Sequence, residues 1–253
     1  MEFEVYLVIV PWPLFLFMEI LGVRIDNLSK KEILERIGFF LNEERFHQIA
    51  TVNPEFILRA QKDREFRDIL NNSDLNVADG VGLKYAFIRY RSWLKTRFAG
   101  ADLMHEILKM TEGRGLGVFL AINKDGLSSF DEIKAALLKI YPKLDIHGED
   151  MDLQSKTYNL NSITCSLLLC NFGAPLQERF INSQKNGTIR LAMGVGGSFD
   201  FLTSKAKRAP IWMRKIGLEW LWRGVVQPQD RLKRLKRIFK AVIVFPIKII
   251  FSK

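Results

Sequence analysis

The chain has 253 residues, of which 48% are hydrophobic, and this is enough for one large α/β domain with an apolar core. The formal net charge is +10, but the segment from Lys205 to the C-terminus holds 14 of the 38 basic residues and two of the 28 acidic residues. This excludes a uniformly basic chain and predicts a local anionic partner, which is phosphate, acidic lipid headgroups or nucleic acid.

The N-terminal stretch Val5–Met18 carries no charge, but it has 14 residues and two prolines. A membrane span needs about 20 apolar residues, and a signal peptide needs a basic start where this chain has Glu2 and Glu4. Two interpretations stay open. In the first, the stretch is an extension that packs on the domain or that precedes the true start of the protein. In the second, it contacts the membrane interface. The prolines favour the first. We set residues 1–18 apart as a hydrophobic N-terminal extension.

Hydrophobic periodicity then predicts strands alternating with helices along the chain. The predicted strands are Leu21–Asp26, Phe46–Asn53, Asp74–Gly80, Gly117–Ile122, the stretch SITCSLLLCNF around residues 162–172, and Ile189–Gly196. The predicted helices begin at a Ser29 capping box, at Pro54, near Leu83, near Ala101, near Ser129 and at Leu176. This order, with apolar later strands, predicts an α/β fold with a mainly parallel sheet covered by helices on both faces.

Four polar or glycine-rich turns follow predicted strands. They read TVN (51–53), ADG (78–80), NFGAP (171–175) and GVGGSFD (194–200). Ligands of open parallel sheets bind at the carboxyl ends of the strands, so we expect these turns to converge on one crevice.

The turn after the last strand places Gly194, Gly196 and Gly197 within four positions. It matches neither GxGxxG nor a P-loop, which excludes the common dinucleotide motif. Glycines there let backbone N–H groups approach a phosphate, and Asp200 is suited to a ribose hydroxyl or a base N–H. A plain turn remains the alternative.

Other polar residues at strand ends have two interpretations each. Asp79 is placed to act as a general base or to cap the next helix. Thr51 and Asn53 are suited to binding sugar hydroxyls or to capping. Arg97 precedes a helix as a candidate diphosphate ligand, and Gln177 lies in a first helical turn as a candidate substrate ligand.

Metal and redox sites are disfavoured by the sequence. The segment EDMD (149–152) contains a DxD, but it lies in a polar stretch with little apolar strand beside it. The histidines His47, His105 and His147 lack mutual ligand spacing, and we assign none of them a catalytic role. Cys165 and Cys170 form no CxxC cluster, and we expect reduced core residues on opposite faces of one strand.

The C-terminal segment changes character after Pro210. Leu232, Leu235 and Val242 recur at helical spacing with basic residues between them, which indicates a membrane-surface helix. A terminal helix docked on the domain is the alternative, and the apolar end Val242–Phe251 favours the membrane. We therefore divide the chain into a catalytic domain, 19–204, and a basic amphipathic membrane-associating appendage, 205–253.

Taken in order, the motifs TVNPE, ADGVGL, RFAGADL, NFGAPLQE and GVGGSFDFL…KRAPIWMRKIGLEWLWR resemble the WecG/TagA/CpsF family of bacterial glycosyltransferases. The resemblance spans about Leu21–Arg237. It implies a Rossmann-like sheet with no cofactor or bound metal, and a peripheral protein on the cytoplasmic face of the cell membrane. It also implies inverting transfer of an N-acetylmannosamine-type sugar from a UDP donor to a polyprenyl-diphosphate-linked GlcNAc acceptor, in teichoic acid or other cell-surface polysaccharide synthesis.

The same resemblance implies roles for individual residues. Asp79 takes the place of the general base, and Arg97 lies near the diphosphate. Thr51, Asn53 and Gln177 fall in the sugar pocket. The remaining substrate-binding residues are Gly80 and Gly173, the uridine-binding turn with Gly194, Gly196, Gly197 and Asp200, and the appendage residues Arg223, Arg231 and Arg234.

Two other classes of function compete with this interpretation. A nucleic-acid-binding protein would stack bases on Trp212, Trp220 and Trp222, but the apolar end of the chain has no place on a nucleic acid. A non-catalytic membrane-surface protein would not need the residues at the strand ends. We therefore expect UDP-sugar, lipid-linked acceptor and anionic membrane as partners and no nucleic acid, while the sequence allows a homo-oligomer and leaves the exact sugar open.

Overall fold

The structure is a computed structural model that describes residues 17–152, 158–160, 163–185, 187–216, 219, 221–222 and 239–251. Two strands, β1 (Phe17–Ile20) and β2 (Val23–Asp26), form an antiparallel hairpin of their own. The main sheet contains β3 (His47–Val52), β4 (Leu75–Ala78), β5 (Val118–Asn123), β6 (Ile146–Met151), β7 (Leu167–Cys170) and β8 (Leu191–Gly194). Its strand order is β4-β3-β8-β7-β5-β6, and every pair is parallel.

Helices lie between these strands. They are α1 (Lys30–Asn42), α2 (Pro54–Ala60), α3 (Arg64–Asn71), α4 (Val81–Arg89), α5 (Gly100–Gly113), α6 (Phe130–Ile140) and α7 (Leu176–Ser183). After β8 come a 3₁₀ turn at Gly196–Ser198, α8 (Phe199–Leu202) and α9 (Ile211–Ile216). The last segment that the structure describes is a π-helical turn, Lys240–Val244, which continues into α10 (Phe245–Phe251).

Both faces of the sheet are covered, as the sequence predicted. On β3, Ile49 packs into the apolar cluster that contains α1, α5 and α6, whereas Ala50 and Val52 pack into the cluster of α2, α3 and α4. Successive strand residues point to opposite faces, so one strand contributes to both clusters. The expected parallel α/β sheet with helices on both faces is therefore confirmed.

The first predicted strand, Leu21–Asp26, is only partly correct. Leu21 and Gly22 form the hairpin turn, and β2 begins at Val23 and pairs with β1 rather than with the main sheet. Leu21 has a φ of 49°, a left-handed conformation that the alternating pattern does not reveal. The hairpin is fixed to the main sheet by Asp26, whose Oδ2 accepts a hydrogen bond from the backbone N–H of Asn76.

Two further segments differ from the sequence interpretation. The segment EDMD, interpreted as a polar stretch with little apolar strand beside it, has its residues 149–151 in the edge strand β6. Asp150 Oδ1 accepts from the Phe130 N–H at the start of α6, 2.9 Å away. The strand around the cysteines begins only at Leu167, so Cys165 lies before it. Both thiols are free and pack in one cluster, not on opposite faces, and burial raises the pKa of Cys165 to about 11.

The C-terminal helix is docked on the domain, which the sequence disfavoured. Phe245 and Ile249 are 1% and 3% exposed in the cluster that also contains Val52 and Leu83. The opposite side of the same helix remains apolar and exposed, and Phe251 is 81% exposed. The buried and the exposed apolar side chains thus occupy different sides of one helix.

No helix within the described ranges is both long and apolar enough to cross a bilayer.

Candidate active site at the carboxyl edge of the sheet

The four turns predicted to converge leave the sheet side by side. Strands β4, β3, β8 and β7 are consecutive neighbours and parallel, with Val52 opposite Ala78 and Cys170 opposite Gly194. All four turns therefore emerge at one edge of the sheet, the edge at which open parallel sheets bind ligands, and the crevice itself remains a prediction.

Asp79 directly follows β4, and its N–H donates to the Val52 carbonyl, 2.7 Å away. Its Oδ2 accepts from the backbone N–H of Gly100, the first residue of α5, at 3.3 Å. The N-cap of the next helix, α4, is Gly80, and α4 has no side-chain cap. Gly80, not Asp79, is therefore the N-cap residue of α4. The contact with Gly100 places Asp79 at the N-terminus of α5, where helices stabilise negatively charged side chains.

Thr51 lies beside the same point. A Cβ built on Gly100 would be 3.2 Å from Thr51 Oγ1, which places the hydroxyl against the start of α5. Thr51 and Asp79 thus approach a common residue, as expected for two members of one site. Asn53 is the N-cap of α2, because its Oδ1 accepts from the Phe56 N–H at 3.1 Å. The capping interpretation of that oxygen is confirmed, and a sugar contact by Asn53 remains a prediction that would use its amide nitrogen.

Gly80 has a conformational reason to be glycine. Its φ of 94° is one that residues with side chains rarely adopt. A Cβ there would also lie 3.3 Å from Pro54 Cδ, so the turn after β4 packs tightly against the first turn of α2.

Gln177 connects two of the turns. Its Oε1 accepts from the N–H of Gly173 and from the N–H of Gly196, each at 3.1 Å. The side chain is 4% exposed, and a Cβ on Gly194 would collide with its amide. The N–H of Gly196 is therefore engaged inside the protein rather than available for a phosphate. The predicted place of Gln177 in the sugar pocket stays a prediction.

Asp200 lies in α8 and bonds to a residue that the sequence interpretation missed. Its Oδ1 accepts from Ser128 Oγ at 2.8 Å, and Ser128 Oγ lies 2.7 Å from Thr203 Oγ1. Ser128 is buried in the loop after β5. Its position after an apolar strand is the feature of the sequence that could have identified it as a site residue. Gly197 adjoins this group, since a Cβ on it would lie 3.4 Å from Asp200 Oδ2.

Three arginines meet at the start of α5, and we call Arg97, Arg208 and Arg214 the arginine cluster. Arg97 Nη2 donates to the Arg214 carbonyl at 2.7 Å. Arg208 pairs with Asp102 at 2.7 Å, and Arg214 lies 3.9 Å from the same oxygen. Two cations therefore lie at the Asp102 carboxylate near the helix start that holds Asp79, and Arg97 is held beside them by the Arg214 carbonyl. The sequence interpretation assigned a role to Arg97 alone, although KRAPIWMR contains the other two.

The remaining predicted residues, Arg223, Arg231 and Arg234, lie outside the described residues, and their roles stay predictions.

Comparison with known proteins bears on the whole chain rather than on single site residues. A sequence model described as the glycosyl transferase WecG/TagA/CpsF family matches residues 18–253. A Bacillus subtilis (strain 168) protein is 33% identical over 224 residues, which cover 85% of this chain and 82% of the relative. A Staphylococcus aureus (strain MRSA252) protein is 31% identical over 245 residues, which cover 93% of each chain.

Both relatives carry the name N-acetylglucosaminyldiphosphoundecaprenol N-acetyl-beta-D-mannosaminyltransferase. The family match covers the strand-end motifs and the basic C-terminal segment together, and it confirms the resemblance noted in the sequence. The chain belongs to the WecG/TagA/CpsF family of glycosyl transferases.

Proposed function

We propose that this protein transfers an N-acetyl-β-D-mannosaminyl group from a UDP donor to a polyprenyl-diphosphate-linked GlcNAc acceptor. The names of the relatives from Bacillus subtilis and Staphylococcus aureus support the sugar and the acceptor. The observation that carries the mechanism is the position of Asp79, at a strand end beside Thr51 and the start of α5.

Asp79 is the general base of this proposal. Displacement at an anomeric carbon passes through an oxocarbenium-like state, and the attacking acceptor hydroxyl must lose its proton. The bond from the anomeric carbon to the UDP oxygen breaks while the bond to the acceptor oxygen forms on the opposite face. Asp79 receives the acceptor proton, and UDP leaves with the bonding electron pair, so the configuration inverts.

The arginine cluster neutralises the charge that develops on the leaving UDP. Arg208 and Arg214 lie at the carboxylate of Asp102, and Arg97 is held next to them by its hydrogen bond to the Arg214 carbonyl. Arginine binds phosphate oxygens with two parallel hydrogen bonds, and preorganised cations stabilise a leaving diphosphate without reorganising. We propose on this basis that transfer proceeds without a divalent metal ion.

The exposed side of the C-terminal helix supports a site at an anionic membrane surface. Exposed apolar side chains lie on this helix and on the adjacent α4, namely Tyr85, Ile88, Phe239, Val242, Ile243, Ile247, Ile250 and Phe251. Exposed cations accompany them, namely Lys84, Arg89, Lys240 and Lys248. Such a surface suits the interface of a bilayer with anionic lipids, where a polyprenyl-linked acceptor would lie. We place the protein on the cytoplasmic face of the cell membrane.

Substrate choice is tested by a donor panel. The purified protein is assayed with UDP-N-acetylmannosamine, the corresponding uronic acid and UDP-N-acetylglucosamine, each with a GlcNAc-diphosphate-lipid acceptor and excess EDTA. We expect transfer from UDP-N-acetylmannosamine that EDTA does not reduce. Transfer that occurs only from another donor would overturn the sugar assignment, and transfer that EDTA abolishes would overturn the metal-free mechanism.

A further inference from the structure

A buried carboxyl group lies next to the glycine turns and has no role in the mechanism above. Glu178, in the first turn of α7, is 3% exposed. Its Oε1 accepts from Gln177 Nε2 at 2.7 Å. Its Oε2 is buried and has no hydrogen-bond partner within the described part of the chain. A buried polar atom of this kind calls for an explanation.

The neighbouring amide shows what the carboxyl does. Gln177 Oε1 accepts from the N–H groups of Gly173 and Gly196, which belong to the turns after β7 and β8. If the amide were reversed, its NH₂ group would face two N–H donors. Glu178 Oε1 is an acceptor on the opposite side, so the carboxyl favours the one orientation in which the amide oxygen joins the turns.

The surroundings of Glu178 favour its neutral form. Burial raises the pKa of this carboxyl to about 7, although the Gln177 hydrogen bond and the Arg59 charge oppose the rise. The neighbouring cation on α7, Arg179, pairs with the carboxylates of Asp63 and Glu65 at 2.9 Å, so its charge is already balanced. The charged and titratable groups that act on Glu178 from adjacent elements are Arg59 of α2 and the neutral Cys170 thiol of β7. Gln48 of β3 donates to the Glu178 backbone carbonyl, and Asp63 and Glu65 at the start of α3 pair with Arg179.

We infer that Glu178 is a positioning residue for nucleotide-sugar binding. Its carboxyl group holds the Gln177 amide so that the turns at Gly173 and Gly196 keep one arrangement at the crevice. The inference rests on the proposed function and on the role in donor binding that the family resemblance implies for these turns. An ionised Glu178 would leave a buried charge on an unpartnered oxygen. Such a charge favours the entry of water and loosens the packing of the turns at Gly173 and Gly196. Donor binding should therefore weaken as the pH rises through the titration of Glu178.

The test compares Glu178→Gln, Glu178→Ala and the control Glu65→Gln. Gln at position 178 keeps an acceptor oxygen for Gln177 and resembles the protonated acid, whereas Ala removes the acceptor. Glu65 is an exposed carboxylate that pairs with Arg179 beside α7, so its variant controls for the loss of a nearby charge. Donor KM and kcat are measured from about pH 6 to about pH 8.5, a range that brackets the titration, and UDP affinity is measured in parallel by calorimetry.

We expect the donor KM of the wild type and of Glu65→Gln to rise about ten-fold across this range, the effect of one buried hydrogen bond. Glu178→Gln should hold the low value throughout, with kcat changed less than KM. Glu178→Ala should show the high value at every pH. If Glu178→Gln keeps the wild-type pH dependence, the inference is overturned, and this comparison decides the question even if Glu178→Ala does not fold.

UDP affinity separates this inference from the proposed function. If the wild type transfers no sugar but its UDP affinity still falls with pH and Glu178→Gln removes that fall, the transfer proposal fails and the positioning role stands. If transfer occurs and neither the UDP affinity nor the KM depends on Glu178, the positioning role fails alone.

Discussion

The Oδ2 of Asp79 accepts a hydrogen bond from the backbone N–H of Gly100 at 3.3 Å. This contact joins the turn after β4 to the first residue of α5, and Thr51 approaches Gly100 from β3. A carboxylate held in this way by a helix N-terminus is oriented before substrate arrives.

Replacing Asp79 by Asn separates orientation from base catalysis. The Asn oxygen can still accept from the Gly100 N–H, so the start of α5 should remain in place. We expect turnover to fall by roughly 10²–10⁴-fold, the usual contribution of a general base. Calorimetry with UDP should show retained donor binding, and circular dichroism should show an unchanged fold. A near-normal turnover would leave Asp79 as a purely structural residue.

Gly194→Ala should disturb the crevice through Gln177. An added Cβ would collide with the buried Gln177 amide, which is held on both sides by hydrogen bonds. Overpacking of this kind costs about 1–3 kcal/mol of stability, and donor affinity should fall with it. Gly113→Ala is the matched control, because a Cβ there meets nothing within 4 Å. Urea unfolding measures the difference in stability between the two variants. Equal stabilities would show that the packing of Gly194 against the Gln177 amide is loose.

Glu178 should also make the stability of the fold depend on pH. Its pKa is raised from 4.5 to about 7 by burial, so the folded chain keeps this proton while the unfolded chain releases it. The contribution is complete below pH 4.5, declines between 4.5 and about 7, and is lost above that. The loss amounts to on the order of 3 kcal/mol relative to Glu178→Gln. Denaturant unfolding of both proteins across this range measures it, and parallel stability curves would contradict it.

The two sides of the C-terminal helix should respond differently to truncation. Phe245 is 1% exposed against the domain, so Phe245→Ala should weaken docking by about 3–5 kcal/mol. Phe251 is 81% exposed, so Phe251→Ala should change stability by less than about 0.5 kcal/mol. The affinity of the Phe251→Ala variant for anionic vesicles should nevertheless fall about ten-fold, as expected when one aromatic side chain leaves an apolar interface. Hydrogen exchange measures the docking of the helix, and vesicle sedimentation measures its affinity for the membrane. If neither variant loses vesicle binding, the proposal that this helix contacts the membrane is wrong.

The shared edge of the predicted site residues was predictable because these residues follow strands directly. Thr51 and Asp79 come at or just after the ends of β3 and β4, and parallel neighbours bring such positions together whatever the loop sequences are. The capping box at Ser29 was equally readable, because both of its partners lie within one turn.

The connections within the site were not predictable from local sequence. Ser128 and Asp200 are 72 positions apart, and nothing local indicates that they bond. The burial of Glu178 arises only when α7 packs on the sheet, so the sequence of its helical turn does not indicate it. The turn at Leu21 was missed because an alternating apolar pattern does not reveal a positive φ.

The configuration of the newly formed glycosidic bond tests the central proposal most directly. Wild-type protein is incubated with α-linked UDP-N-acetylmannosamine and a GlcNAc-diphosphate-lipid acceptor, and the anomeric linkage of the product is determined by nuclear magnetic resonance. A single displacement with Asp79 as base predicts a β-linked product and no covalent glycosyl-enzyme. An α-linked product, or a glycosylated protein trapped during turnover, would contradict it.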